Sequence, residues 1–215
     1  MVAAVAAGTV VAVAIGLTGA AVAGPAGAAV AALPGLVLGL TFGRAVAAAT
    51  PYDLTSVTGA RRLLVDLTWS LVNTVAGAVF LAVNLARGNR VDPEAGRHSG
   101  SVILVRPFLR GYATTIGTVQ AGTRPHLRRH EDTHVLQARL FGPLYLPLVV
   151  AHYVVVTLVP YWLLYHDRAR QPIDGFRAYF RRGVYRHTWH ELWAYSVGDG
   201  RDRDRPRSAA PPSTG

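Results

Sequence analysis

Cysteine is absent from the 215 residues, so neither a disulfide framework nor a thiolate-ligated zinc ribbon is possible. Lysine is absent too. All 22 basic residues are arginine, which with the abundance of Ala, Gly and Val fits a GC-rich genome more than a mechanism. Glutamate occurs only at Glu94, Glu131 and Glu191, and charged residues make up 16% of the chain, against about 25% in soluble domains. With 51% hydrophobic residues, this composition excludes a disordered protein and argues against an ordinary soluble enzyme. A net charge of +10 raises nucleic acid as a partner, but no recognition motif for it is present. The apolar content favours membrane lipids, through the anionic face of a bilayer.

Charge is also missing locally: before Asp53 the only charged residue is Arg44. Residues 2–23 form an uncharged apolar run with only Thr9 and Thr18 among its Ala, Val, Gly, Ile and Leu, and residues 28–49 a second, broken only by Pro34, Thr41 and Arg44. Each has about the 20 residues needed to cross a hydrocarbon core. The first run has no basic segment ahead of it and a second follows at once, so a transmembrane hairpin over 1–50, turning at Gly24-Pro25-Ala26-Gly27, is expected instead of a cleaved leader. A third apolar stretch, 63–86, differs in carrying a polar stripe. At 100° per residue Asp66, Ser70, Asn73, Gly77 and Asn84 fall within about 60° of one another, a face that must meet protein or a wet cavity.

Beyond Pro93 the pattern changes. Residues 101–105 and 112–120 read as two short strands with Arg110-Gly111 in the turn between them. Thr123-Arg124-Pro125 opens a helix that runs to Phe141 and stops at Gly142-Pro143. A fourth apolar stretch, 144–165, is interrupted by Pro147 and Pro160 and carries His152, read as a buried imidazole bonded to a carbonyl. The Asp/Arg/Pro-rich tail, 199–215, is expected to be disordered.

On the expected helix lies His130-Glu131-Asp132-Thr133-His134. Residues i and i+4 share a helix face, so both imidazoles can bind one Zn2+ ion, with Glu131 placed as the general base of a hydrolase. With 8 His and 3 Glu in the chain, chance yields on the order of 0.004 such matches. A metzincin would place Gly and His where Gln137 and Leu140 stand, so the third ligand must come from elsewhere. Glu191 is the only downstream Glu, in His190-Glu191-Leu192-Trp193-Ala194-Tyr195, with a small Ala194 to let two helices approach and Tyr195 one turn on. His166, Asp174, His187 and His190 are the alternative ligands. Gln137, His187 and Tyr195 are candidates to orient the ligands or stabilise an oxyanion.

The pairing of His130-Glu131-x-x-His134 with Glu191-x-x-Ala194 resembles the gluzincin metallopeptidases, nearest the membrane-embedded group of the CAAX prenyl protease and its bacterial heat-shock relatives. The run from His134 through Gln137 to Tyr145 also resembles small bacterial membrane proteins with an H-E-x-x-H-x-x-Q signature. The likeness spans roughly residues 68–197 and is most specific at the zinc helix. It departs from the prenyl-protease group at Tyr195, where that group has an Asp that supports a zinc-binding His. The resemblance implies peptide-bond hydrolysis of a peptide or protein substrate, with His130, His134 and Glu191 on zinc. The residues themselves leave open a zinc site without turnover and a membrane scaffold without metal. The expected fold is mainly α and membrane-associated: a helical hairpin followed by a small α(+β) zincin-like domain over 51–198, with a strand pair beside the zinc helix. If 144–165 crossed the bilayer once, His130 and Glu191 would stand about 30 Å apart, so that stretch is expected to bend back or lie at the interface. With the hairpin turn outside, all 22 Arg fall on the cytoplasmic side of a multi-pass membrane protein.

Overall fold

The computed structural model describes residues 1–197; the tail over 199–215 lies outside the described residues. The first element, α1 (Val2–Ala49), is helical except at Ala23 and Gly24, whose φ/ψ of −140/25° and 61/−151° fold it back on itself. Only glycine adopts the second conformation without strain, and Pro25 opens the returning arm, where a missing N–H costs nothing. The reversal thus falls at the first residue of the expected Gly24–Gly27 turn. The arms, residues 2–22 and 25–49, rise roughly 32 and 38 Å, each enough for a hydrocarbon core. They lie very close: a Cβ on Gly39 would stand 2.4 Å from the Gly8 carbonyl oxygen. Small residues permit such packing in lipid, while Val13, Leu17, Val22, Val30 and Leu33 face outward uncovered.

Thr50, in a left-handed conformation, ends the hairpin. Two helices follow, α2 (Val57–Leu67), capped by the Ser56 hydroxyl accepting from the Gly59 N–H at 3.0 Å, and α3 (Leu71–Ala86). The single helix expected over 63–86 is therefore broken, with a bend of 86° between its parts. The polar stripe is buried as anticipated, at Asp66, Ser70, Asn73, Gly77 and Asn84.

After the short α4 (Pro93–Gly96) come β1 (Val102–Leu104), β2 (Thr114–Ile116) and β3 (Val119–Ala121), in the order β1-β3-β2. β1 runs parallel to β3, and β2 antiparallel to it with Ile116 opposite Val119. The expected strand pair is thus a three-stranded sheet, and the strand expected over 112–120 is a hairpin reversing at Gly117-Thr118. Gly117 has φ 56°, and a Cβ there would stand 2.0 Å from the Asn73 carbonyl oxygen. Neither the tight turn nor the contact with α3 admits a side chain. Phe42 and Val46 of the hairpin, Leu81 of α3, and Val102, Leu104 and Val119 of the sheet share one core.

A 3-10 turn, Pro125–Leu127, leads into α5 (Arg128–Phe141), followed by α6 (Tyr145–Leu158). The chain then returns through α7 (Phe176–Ala178), a π-helical turn at Tyr179–Val184 and α8 (Tyr185–His187) to α9 (Trp189–Val197). A second small core of Val156, Trp162 and Val184 holds this return together. Val2–Ala49 and the run Pro125–Leu158 are long and apolar enough to cross a membrane. The apolar part of the second, residues 140–158, carries no charged side chain and rises about 28 Å.

Candidate metal centre

A helix leaves its last carbonyls without partners, and α5 has its own supplied by the junction of α2 and α3. Ser70 Oγ donates to the Ala138 carbonyl at 2.9 Å, and Asn73 Nδ2 to those of Ala138 and Gly142 at 3.1 and 2.7 Å. Trp69 Nε1 donates to Leu140 at 3.2 Å. Arg139 pairs with the buried Asp66 at 2.7 Å, and Tyr52 donates its hydroxyl to the same carboxylate at 2.9 Å. The helix that carries His130, Glu131 and His134 is therefore clamped at its C-terminal end by the polar stripe read in the sequence.

α9 packs across α5 at the fully buried Ala194, which brings Glu191 onto the histidine face. His130 Nε2 and His134 Nε2 stand 3.1 Å apart, and the Glu191 carboxylate oxygens lie 3.3 Å from the first and 3.6 Å from the second. With one donor atom taken from each residue, all three are within 4.8 Å of one another. A tetrahedral zinc with donors at about 2.0–2.1 Å has edges of about 3.3 Å, so these separations fit one ion. Glu191 Oε2 is buried and makes no hydrogen bond among the described residues, despite its nearness to His130. Two imidazole nitrogens and an unsatisfied carboxylate oxygen converging in a buried space are a donor set for a cation. Burial raises the Glu191 pKa, but His130, His134 and His190 outweigh it and hold the carboxyl below its usual range.

Gln137 fixes the second histidine. Its Nε2 donates to the His190 carbonyl at 2.9 Å, which turns Oε1 toward His134 Nδ1 at 3.0 Å, with the Tyr145 hydroxyl donating to Oε1 at 3.3 Å. An amide oxygen opposite Nδ1 places the proton there and leaves the Nε2 lone pair facing the donor cluster. Glu131 is buried beside the cluster but not part of it, and Thr115 of β2 donates its hydroxyl to Glu131 Oε2 at 2.5 Å. Burial pushes the Glu131 carboxyl up, against the pull of Thr115 and the two histidines. The sequence reading missed Thr115, because which residue of Thr114-Thr115-Ile116 faces α5 depends on the turn at Gly117. Tyr185 was also missed; burial and the neighbouring Glu191 charge push its hydroxyl far up.

The Tyr195 ring lies 4.6 Å from that of His130 between centroids. His190 packs against His134 and Tyr153, its Nε2 is 3.8 Å from Glu191, and burial pushes its pKa down to about 4. His187 and His166 sit elsewhere, packed on Trp162, while Asp174 pairs with Arg182 at 3.5 Å. Among the described residues His152 is not bonded to a carbonyl, contrary to expectation. Its Nδ1 accepts from the Trp189 N–H at 3.2 Å, which helps fix the start of α9. No family model, curated protein or solved structure matches this chain.

Proposed function

We propose that the protein is a membrane-anchored, zinc-dependent metallopeptidase of gluzincin type, with His130, His134 and Glu191 as zinc ligands and Glu131 as general base. The observation that carries the reading is the buried triangle of two imidazole nitrogens and a carboxylate, with edges suited to a tetrahedral ion, next to a carboxylate that is not a donor. Imidazole and carboxylate donors suit zinc, and when bound it supplies Lewis acidity to a scissile carbonyl and to water. Glu131 takes the proton of the attacking water and delivers it to the leaving amine as the C–N bond breaks. Thr115 keeps one Glu131 oxygen engaged so that the other faces the reaction, and Gln137 holds His134 in the ligating tautomer. β2 beside α5 is consistent with a zincin-like arrangement.

In this reading the two arms of α1 span the bilayer with their turn outside, and the domain faces the cytoplasm. The α6 excursion dips into the membrane surface and returns, which is what allows Glu191 to reach His130. The substrate is a peptide or protein. The test is metal analysis of the full chain in detergent alongside hydrolysis of a pool of internally quenched peptides. One zinc per chain is expected in the wild type and in Glu131→Gln, with hydrolysis only in the former. His134→Ala and Glu191→Ala should lose the metal, because two ligands seldom hold zinc against a chelator. Unchanged zinc content in His134→Ala would refute the site.

A further inference from the structure

The face of α5 turned away from the histidines borders a cavity of about 550 Å³, walled on its other side by α2. Its walls are of two kinds. Val65, Val135, Leu136 and Leu140 supply an apolar floor, and Arg61 and Arg62 stand on the α2 side. Two further charged groups line it, and both are already engaged. Asp132 is held by Arg128 at 3.1 Å and by Gln120 at 2.8 Å, and Arg139 by Asp66. Among the described residues neither Arg61 nor Arg62 makes a hydrogen bond or ion pair, although Arg62 adds to the positive field at Asp66. The cavity therefore offers two uncommitted guanidinium groups above an apolar surface.

Its place in the fold says what such a cavity meets. α2 begins eight residues after the end of α1 (57 against 49) and packs against it, and Tyr52 at the hairpin's foot is tied to Asp66 of α2. Around the cavity Val57, Leu64, Trp69, Leu136 and Leu140 are all more than half exposed to water. An exposed Trp among Leu, Val and Arg at the foot of an apolar hairpin has the composition of a bilayer interface. Guanidinium groups bind phosphate oxygens in pairs, and apolar walls accept acyl carbons.

We infer that the cavity between α2 and α5 binds one anionic phospholipid, with Arg61 and Arg62 on its phosphate and Val65, Val135, Leu136 and Leu140 against its upper acyl chains. The bound lipid lies against the back of the helix that carries His130 and His134. The site needs neither zinc nor peptidase activity.

The experiment is calorimetric titration of the full-length protein in a neutral detergent with three probes: dioctanoyl phosphatidylglycerol, dioctanoyl phosphatidylcholine and inorganic phosphate. Saturable binding of one phosphatidylglycerol per chain is expected, with neither of the other probes binding at the same concentrations. An arginine near a lipid phosphate is worth about five-fold in affinity, so Arg61→Gln/Arg62→Gln should weaken binding about 30-fold. Arg90→Gln/Arg97→Gln, an exposed pair outside the cavity, should leave it unchanged. Equal binding of phosphatidylcholine would reduce the cavity to a detergent-like apolar patch, and equal binding of phosphate would make it a simple anion site. Equal weakening by the two double variants would replace it with diffuse surface charge. Any of these three results overturns the proposal.

Discussion

Gln137→Leu is the sharpest perturbation of the proposed metal centre that leaves every candidate donor in place. Leu has nearly the volume of Gln, and the side chain is fully buried, so little is lost in packing. What disappears is three hydrogen bonds, to His134 Nδ1, the His190 carbonyl and the Tyr145 hydroxyl. At about 1 kcal/mol net for each, the fold loses about 3 kcal/mol. The effect on metal is separate. Without an acceptor opposite Nδ1 the imidazole is free to rotate or change tautomer, and losing such a partner typically costs about 10–100-fold in metal affinity. Gln137→Glu separates the two effects. Its carboxylate still accepts from His134 and Tyr145 but cannot donate to the His190 carbonyl, so it should lose stability while keeping zinc affinity within about three-fold of wild type. The assay is competition for zinc against a chromophoric chelator, paired with thermal melts of the metal-free proteins. If Gln137→Leu melts lower yet binds zinc as tightly as wild type, Gln137 only joins α5 to α9 and the account of the His134 tautomer fails.

Asp66→Ala removes the partner of Arg139, whose side chain is only 14% exposed, and should cost about 3–5 kcal/mol in denaturant unfolding; a loss below about 1 kcal/mol would mean that Arg139 finds water or another carboxylate. The native chain lacks cysteine, so Arg97→Cys and Asp174→Cys each report one position. In intact cells both should be shielded from an external, membrane-impermeant thiol reagent, and labelling of only one would put them on opposite sides of the membrane and contradict the shared site.

What could be read in the sequence was whatever depends on a few neighbouring residues. The i, i+4 spacing of His130 and His134, the Gly142-Pro143 stop and the small Ala194 beside Glu191 each carry their meaning within one or two helical turns. The hairpin of α1 is legible because two apolar runs meet at Gly24-Pro25. Breaks made by distant partners are not legible in this way. Residues 63–86 have the periodicity of one helix, yet the chain turns by 86° where Ser70 and Asn73 reach carbonyls of Ala138 and Gly142, 65 to 69 residues away. The strand expected over 112–120 splits for a similar reason, since Gly117 must pass under the backbone of Asn73. His187 illustrates the converse. Its spacing from Glu191 is helical, but Thr188 is extended, with φ −71° and ψ 140°, and the imidazole is directed to Trp162 instead of the donors.

The carboxylate of the candidate cluster stands 57 residues beyond its second histidine (191 against 134), on the far side of α6. During synthesis the helix bearing both histidines is complete long before the segment that finishes the cluster. Between them lie α6 and the small core of Val156, Trp162 and Val184. If the cluster binds zinc as proposed, a nascent or truncated chain without α9 would carry a two-donor half-site that competes poorly for scarce metal. In the proposed reading the site is complete only when α9 lies on α5, so this last helix would act as the key that arms the molecule.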